Sequence, residues 1–242
     1  MRKKYFYIAN WKAYLPYQEA VQWHIKHAVD LKVLAAQEML IICPDFLALA
    51  EVKKNIAPVF VGAQNCSEHD VGAFTGEISV ESLKEIGIRY CIVGHSERRR
   101  LFGETSEIVA RKMALLLHHD IIPVVCVGNA WKEEISSLLD TFSSTQSIVS
   151  NYPIGYCIFI AYEPISAIGT GNRASREEIE KTLKNIHEKF TKQVSWITVK
   201  MLYGGSVNGN NCAELKKIPL LDGFLIGKAS TDFQELKNIV YS

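Results

Sequence analysis

The chain has 242 residues, with 27 Lys and Arg against 26 Asp and Glu and a hydrophobic share of 48%. A net charge of +1 leaves no electrostatic footprint for nucleic acid or an acidic membrane surface. The hydrophobic share suffices for a sizeable core, and the length fits one large domain or two ordinary ones.

Short apolar runs recur along the chain: Tyr5–Ala9, Met39–Cys43, Val59–Gly62, Tyr90–Val93, Ile121–Val127, Cys157–Tyr162, Ile197–Tyr203 and Gly223–Ile226. They are too short for helices, and several are rich in Val and Ile, so they predict strands buried on both faces. The segments between them carry helical spacing. Ser79 is placed to cap a helix over 80–86 that Gly87 ends, and 104–119 and 130–142 also read as helical. In 175–190, Ile179, Leu183, Ile186 and Phe190 recur on one face behind the capping box Ser175-x-x-Glu178.

No Pro/Ser-rich linker, low-complexity stretch or internal repeat divides the chain. Eight β-then-α units without a break predict a parallel sheet with crossover helices. An open doubly wound sheet usually has fewer strands, whereas a closed (β/α)8 barrel needs eight strands and about 250 residues. The expectation is therefore an α/β chain folded as one (β/α)8 barrel domain over residues 1–242.

Six cysteines stand at 43, 66, 91, 126, 157 and 212, and none forms a C-x-x-C pair. Four lie within apolar runs, where Cys behaves as a small hydrophobe, so a reduced intracellular chain is expected rather than a disulfide framework. The apolar run before Asn10 is too short for a signal peptide. No run approaches the roughly 20 apolar residues of a membrane span. The expected location is cytoplasmic, and no His/Cys/Asp/Glu spacing suggests a metal.

In either sheet architecture, ligands bind beyond the carboxyl ends of the strands. Asn10-Trp11-Lys12 follows the first run, Gly94-His95-Ser96-Glu97-Arg98 the fourth, and Glu163 the sixth. Gly204-Gly205-Ser206 follows the seventh and Gly227-Lys228-Ala229-Ser230 the eighth. Polar, ionisable and glycine residues thus gather at one end. Glu163 ends its run, Pro164 fixes the exit, and a small, apolar, glycine-ended segment follows to Gly171. A carboxylate on a rigid strand beside a segment able to fold over a ligand suits proton abstraction away from water. His95 opens what reads as the first turn of a short helix, whose positive end favours the neutral ring.

These motifs resemble the triosephosphate isomerase family. The likeness rests on Asn10-Trp11-Lys12, Gly62-Ala63-Gln64-Asn65, Gly72–Glu77, Val93–Arg99, Ala161–Gly171, Tyr203–Val207 and Asp222–Gly227, which follow the family's order over nearly the whole chain. The resemblance implies a TIM barrel that interconverts dihydroxyacetone phosphate and glyceraldehyde 3-phosphate without a cofactor. It implies Glu163 as base, His95 as the neutral electrophile and Lys12 as the charge that stabilises the enediolate. Asn10, Gly169, Ser206, Gly227 and Lys228 would hold the substrate, with backbone amides on its phosphate. Glu97 would orient Lys12. Pro164, Ile165, Ser166, Ala167, Ile168, Gly169, Thr170 and Gly171 would form the lid. The loop carrying Thr75 would reach a partner's active site, which implies a homodimer.

The chain departs from the family at several positions. Ser166 stands where the lid usually carries Trp, so its closure is expected to lean on the phosphate contact at Gly169. Lys228 stands where a second Gly is common, Asn129 where an acidic residue is usual, and Asn172 where the lid often ends in Lys. The rival readings are another phosphate-binding barrel, such as a pentose-phosphate epimerase, and a non-catalytic phospholigand-binding or adhesion protein. The absence of clustered metal ligands argues against the first. The intact Lys12, His95 and Glu163 set argues against the second as a sole role. The other six histidines (24, 27, 69, 118, 119 and 187) read as caps or surface residues. Arg98-Arg99-Arg100 reads as a solvated or ion-paired face.

Overall fold

The computed structural model describes residues 3–54, 59–144, 156–164 and 175–242. Among these, eight parallel strands close a barrel in sequence order: β1 Phe6–Asn10, β2 Met39–Cys43, β3 Phe60–Ala63, β4 Tyr90–Val93, β5 Ile122–Val127, β6 Cys157–Tyr162, β7 Thr198–Tyr203 and β8 Leu221–Ile226. The predicted barrel is what forms, with strand ends shifted by a residue or two.

The apolar runs are continuous because each strand is buried twice. Ile8, Ile41, Ile92, Val124, Phe159, Leu202 and Leu225 fill the barrel interior. Their neighbours Tyr7, Ala9, Ile42, Val93, Val125 and Ile160 face outward into the layer beneath the helices. A polar residue on either face of such a strand would be stranded from water.

Closure depends on one tight approach. The β7–β8 register shifts between Met201 and Leu202, and the Asp222 carboxylate accepts the Met201 N–H at 2.9 Å there. Gly223 pairs with Phe6 across the β8–β1 seam. A Cβ at 223 would collide with the Phe6 carbonyl oxygen, so any larger side chain would push the seam apart.

The outer layer is helical: α1 Tyr17–Gln37, α2 Phe46–Lys54, α3 Val80–Glu85, α4 Ser96–Phe102, α5 Ser106–His118, α6 Trp131–Ser144, α7 Arg176–Gln193, α8 Cys212–Leu215 and α9 Phe233–Tyr241. The anticipated caps are in place. Ser175 Oγ accepts the Glu178 N–H at 3.1 Å, and Ser79 Oγ accepts the Ser82 N–H at 3.2 Å. Gly87, at φ +78°, follows the end of α3.

The helix expected over 104–119 begins later, because Thr105 caps α5 through the Ile108 N–H while Glu104 turns inward. His24 is a second correction. It lies buried in α1 on the face shared with Ala20 and Leu31, and burial foremost pushes its imidazole below the ordinary value. The arginine triplet divides: Arg98 pairs with Glu104, Arg99 binds backbone carbonyls, and only Arg100 is fully exposed. All six cysteines are free thiols. No helix among the described residues is long and apolar enough to cross a membrane.

Candidate active site

A cavity of about 300 Å³ opens at the carboxyl ends of the strands. Asn10, Lys12, His95, Glu97 and Glu163 line one part of it, and Ser206, Gly227 and Lys228 another. Residues as distant in the chain as Asn10 and Lys228 thus meet because a parallel barrel ends every strand at the same rim.

Lys12 arrives on strained backbone. Its φ is +51°, a conformation uncommon for a residue with a Cβ. Two polar contacts hold it there. The Lys12 N–H donates to Asn10 Oδ1 at 3.1 Å, and Gln64 Nε2 donates to the Lys12 carbonyl at 2.9 Å and to the Cys43 carbonyl at 3.0 Å. The Lys12 ammonium then meets Glu97 Oε1 at 2.6 Å.

His95 caps α4: its Nδ1 accepts the Glu97 N–H at 3.2 Å. A nitrogen that accepts carries no proton, so the ring is neutral with its hydrogen on Nε2. That nitrogen lies 3.0 Å from Glu163 Oε1 and donates to it. The other Glu163 oxygen accepts the Ser96 N–H at 2.9 Å. Glu163 is only 2% exposed, and its own N–H donates to the Val127 carbonyl at 2.8 Å. Gly204 borders this carboxylate closely, since a Cβ there would stand 2.9 Å from Glu163 Cγ.

The glycine-ended turns after β7 and β8 line the same cavity. Gly227 leads into a 3₁₀ turn over Lys228–Thr231, pinned by Ser230 Oγ donating to the Gly227 carbonyl at 2.7 Å. Gly169 and the lid residues 165–171 lie outside the described residues, and so does Asn172. Pro164 is described and buried.

Thr75 does not join this cavity. It is exposed, beside Phe74, whose ring stacks on His69 at a centroid distance of 4.1 Å. Asn129 is exposed beyond the Gly128 turn, whose N–H is taken by Glu134 at 2.7 Å.

Three contributors escaped the sequence reading. Gln64, within a quoted motif but given no role, pins Lys12. Ser96 holds Glu163 through its backbone, which no side chain announces. Glu104 lies under the loop after β4, where it accepts the Gly94 N–H at 2.9 Å and pairs with Arg98 at 2.6 Å and Lys112 at 3.1 Å. Lys112 in turn donates to Asn65 Oδ1 at 2.9 Å. Burial alone would raise the Glu104 carboxyl, but Lys112, Arg98 and the Gly94 amide together hold it below its ordinary value.

A family model described as triosephosphate isomerase matches residues 5–242. The chain belongs to the triosephosphate isomerase family. It is 37% identical to the triosephosphate isomerase of Shewanella loihica, over 96% of each chain. It is 41% identical to that of Nitrosococcus oceani over 82% of each. The Chlamydia trachomatis relative is 35% identical, with 98% of this chain and 89% of that protein covered. The family match spans β1 through α9, so the whole barrel and every rim residue named above fall within it.

Proposed function

We propose that this chain carries out its family's reaction, the interconversion of dihydroxyacetone phosphate and glyceraldehyde 3-phosphate, with Glu163, His95 and Lys12. Glu163 takes a proton from the carbon beside the carbonyl. The electrons move onto the carbonyl oxygen and form an enediolate, and the adjacent hydroxyl proton passes to that oxygen by way of His95, leaving the charge on the oxygen that becomes the new carbonyl. His95 Nε2–H hydrogen-bonds the reacting oxygens, and returning the proton to the neighbouring carbon completes the isomerisation. Lys12 stabilises the negative charge as it develops, and Glu97 fixes its ammonium. Asn10 orients the substrate, while backbone amides near Ser206, Gly227 and Lys228 hold the phosphate, joined by Gly169.

The observation that carries this reading is the 3.0 Å approach of His95 Nε2 to Glu163 Oε1 in a cavity that Lys12 also lines. Glu163 must leave the Ser96 N–H to reach a substrate carbon. Lid residues 164–171 would then close over it and exclude water. A coupled isomerase assay tests the reading. Glu163→Gln should lower kcat by about 10²–10⁴-fold, the range for loss of a general base, and a loss below tenfold rejects the assignment. A non-catalytic phospholigand-binding role is less favoured, because the acid–base set is complete.

The same reading includes a homodimer and a cytoplasmic location. Exposed Val71 and Phe74 around the Thr75 loop, with Leu101 and Phe102 at the end of α4, supply apolar surface for a second copy. Sedimentation should give twice the 27.2 kDa chain mass; a 27.2 kDa species alone rejects the dimer. The six free thiols suit a reducing compartment.

A further inference from the structure

Four residues with formally charged side chains line the cavity: Lys12, Glu97, Glu163 and Lys228. Lys12 is already matched by Glu97 at 2.6 Å. Glu163 is held by two hydrogen-bond donors, the His95 ring and the Ser96 amide, and neither donor brings a formal charge. Among the described residues, no carboxylate or hydrogen-bond acceptor is paired with the Lys228 ammonium. Removing Lys228 from this balance would leave one net negative charge where a phosphate dianion has to bind. Dipoles of the surrounding amides would then have to overcome that repulsion.

The local chain path adds a second reason. A Cβ at Gly227 would stand 3.6 Å from Lys12 Nζ, so the segment bearing Lys228 passes alongside the Lys12 ammonium. Ammonium groups carried by neighbouring segments repel when they approach, and an anion seated between them removes the repulsion. Only the backbone amide at 228 serves the phosphate under the proposed function. The side chain is an addition to that contact.

We propose that the Lys228 ammonium is a phosphate-binding cation, which makes recognition of the phosphate monoester partly ionic and sets the preference for dianionic ligands. The inference rests on reading the cavity as the site of a phosphorylated substrate. The phosphate keeps its charge while the proton moves elsewhere, so Lys228 holds substrate and transition state alike. Such uniform binding lowers KM without raising kcat. It also makes binding salt-dependent, since a partly exposed charge is screened by added ions.

The test uses inorganic sulfate as a probe, titrated into the full-length protein by calorimetry, together with isomerase kinetics at several ionic strengths. Lys228→Gln keeps much of the side-chain length and removes the charge. Lys228→Gly provides a second variant, and Lys192→Ala on α7 controls for net charge. Both Lys228 variants should weaken sulfate binding and raise KM by about ten- to a hundredfold, the worth of one charge-assisted hydrogen bond. Their kcat should stay within about twofold of the parent, and the dependence of KM on salt should flatten. Sulfate affinity and KM unchanged in both variants would overturn the inference. Lys228-dependent sulfate binding in a protein without isomerase activity would uphold the cation and reject the isomerase reading. Isomerase activity with no dependence on Lys228 would do the reverse.

Discussion

Gln64 donates its side-chain amide to the Lys12 carbonyl across 2.9 Å and to the Cys43 carbonyl across 3.0 Å. One side chain from the end of β3 thereby ties the ends of β1 and β2 together and holds Lys12 at a φ of +51°. Positive φ at a residue with a Cβ persists only where its surroundings fix it, at a cost of about 1–3 kcal/mol. Gln64→Ala should let Lys12 relax and move its ammonium. We expect kcat/KM to fall on the order of 10²-fold, as for a misplacement of about 1 Å. Steady-state kinetics check this, and an unchanged kcat would show that Lys12 holds its position without Gln64.

Glu97 faces two ways. Its carboxylate meets the Lys12 ammonium at 2.6 Å, while its backbone N–H caps His95 Nδ1 at 3.2 Å. Glu97→Gln removes the charge but leaves the amide on His95. The loss should therefore fall mainly on Lys12, although the second carboxylate oxygen stands 3.6 Å from His95 Nδ1. It should lower kcat/KM by about ten- to a hundredfold for one charged hydrogen bond. Nitrogen-15 NMR of His95 should still report a neutral ring with its proton on Nε2. A proton found on Nδ1 in the variant would mean that the carboxylate also sets the tautomer.

Gly204 leaves room for the base. Adding a Cβ 2.9 Å from Glu163 Cγ forces the carboxylate or the β7 end to shift, an overpacking cost of typically about 1–3 kcal/mol. Gly204→Ala should lower kcat more than it lowers the melting temperature, because the clash lies at the rim and not in the barrel interior. A large loss of stability with kcat preserved would contradict this placement.

Glu104 gives the fold a defined acid sensitivity. Lys112, Arg98 and the Gly94 amide outweigh burial and hold its carboxyl below the ordinary value. The folded state thus favours the ionised form more than the unfolded chain does. The resulting stability is complete above the unfolded value, about pH 4.3, and disappears as pH falls through the lower folded value. Glu104→Gln leaves Lys112 buried without its carboxylate, which should cost roughly 3–5 kcal/mol at neutral pH. Denaturant melts between pH 3 and 7 should show a shallower acid limb in the variant, and parallel curves would exclude Glu104 as a source of it.

The barrel was legible because strands buried on both faces need unbroken apolar runs, and β1 through β8 lie where those runs were read. Helix starts were legible where a side chain does the capping, as at Ser79 and Ser175. The start of α5 was less so. In sequence Glu104 looks like any first-turn carboxylate, and its inward turn depends on Lys112, Arg98 and the Gly94 amide being there to receive it. His24 was misread for a related reason: nothing local marks that position of α1 as buried.

By itself, the sequence determined the class of fold, the rim on which chemistry would sit, and the residue types able to abstract a proton, polarise an oxygen and hold a phosphate. Periodicity and strand-end chemistry are local properties, and a chain carries them in order. Tertiary structure decided which groups touch. It set Gln64 under Lys12, joined Ser96 and His95 to the two Glu163 oxygens, matched Lys12 with Glu97 and left Lys228 without a carboxylate among the described residues. Those outcomes follow from closing the barrel, which brings separate strand ends within hydrogen-bond reach. Over such distances a shift of one ångström makes or breaks a contact, and spacing along the chain does not encode it.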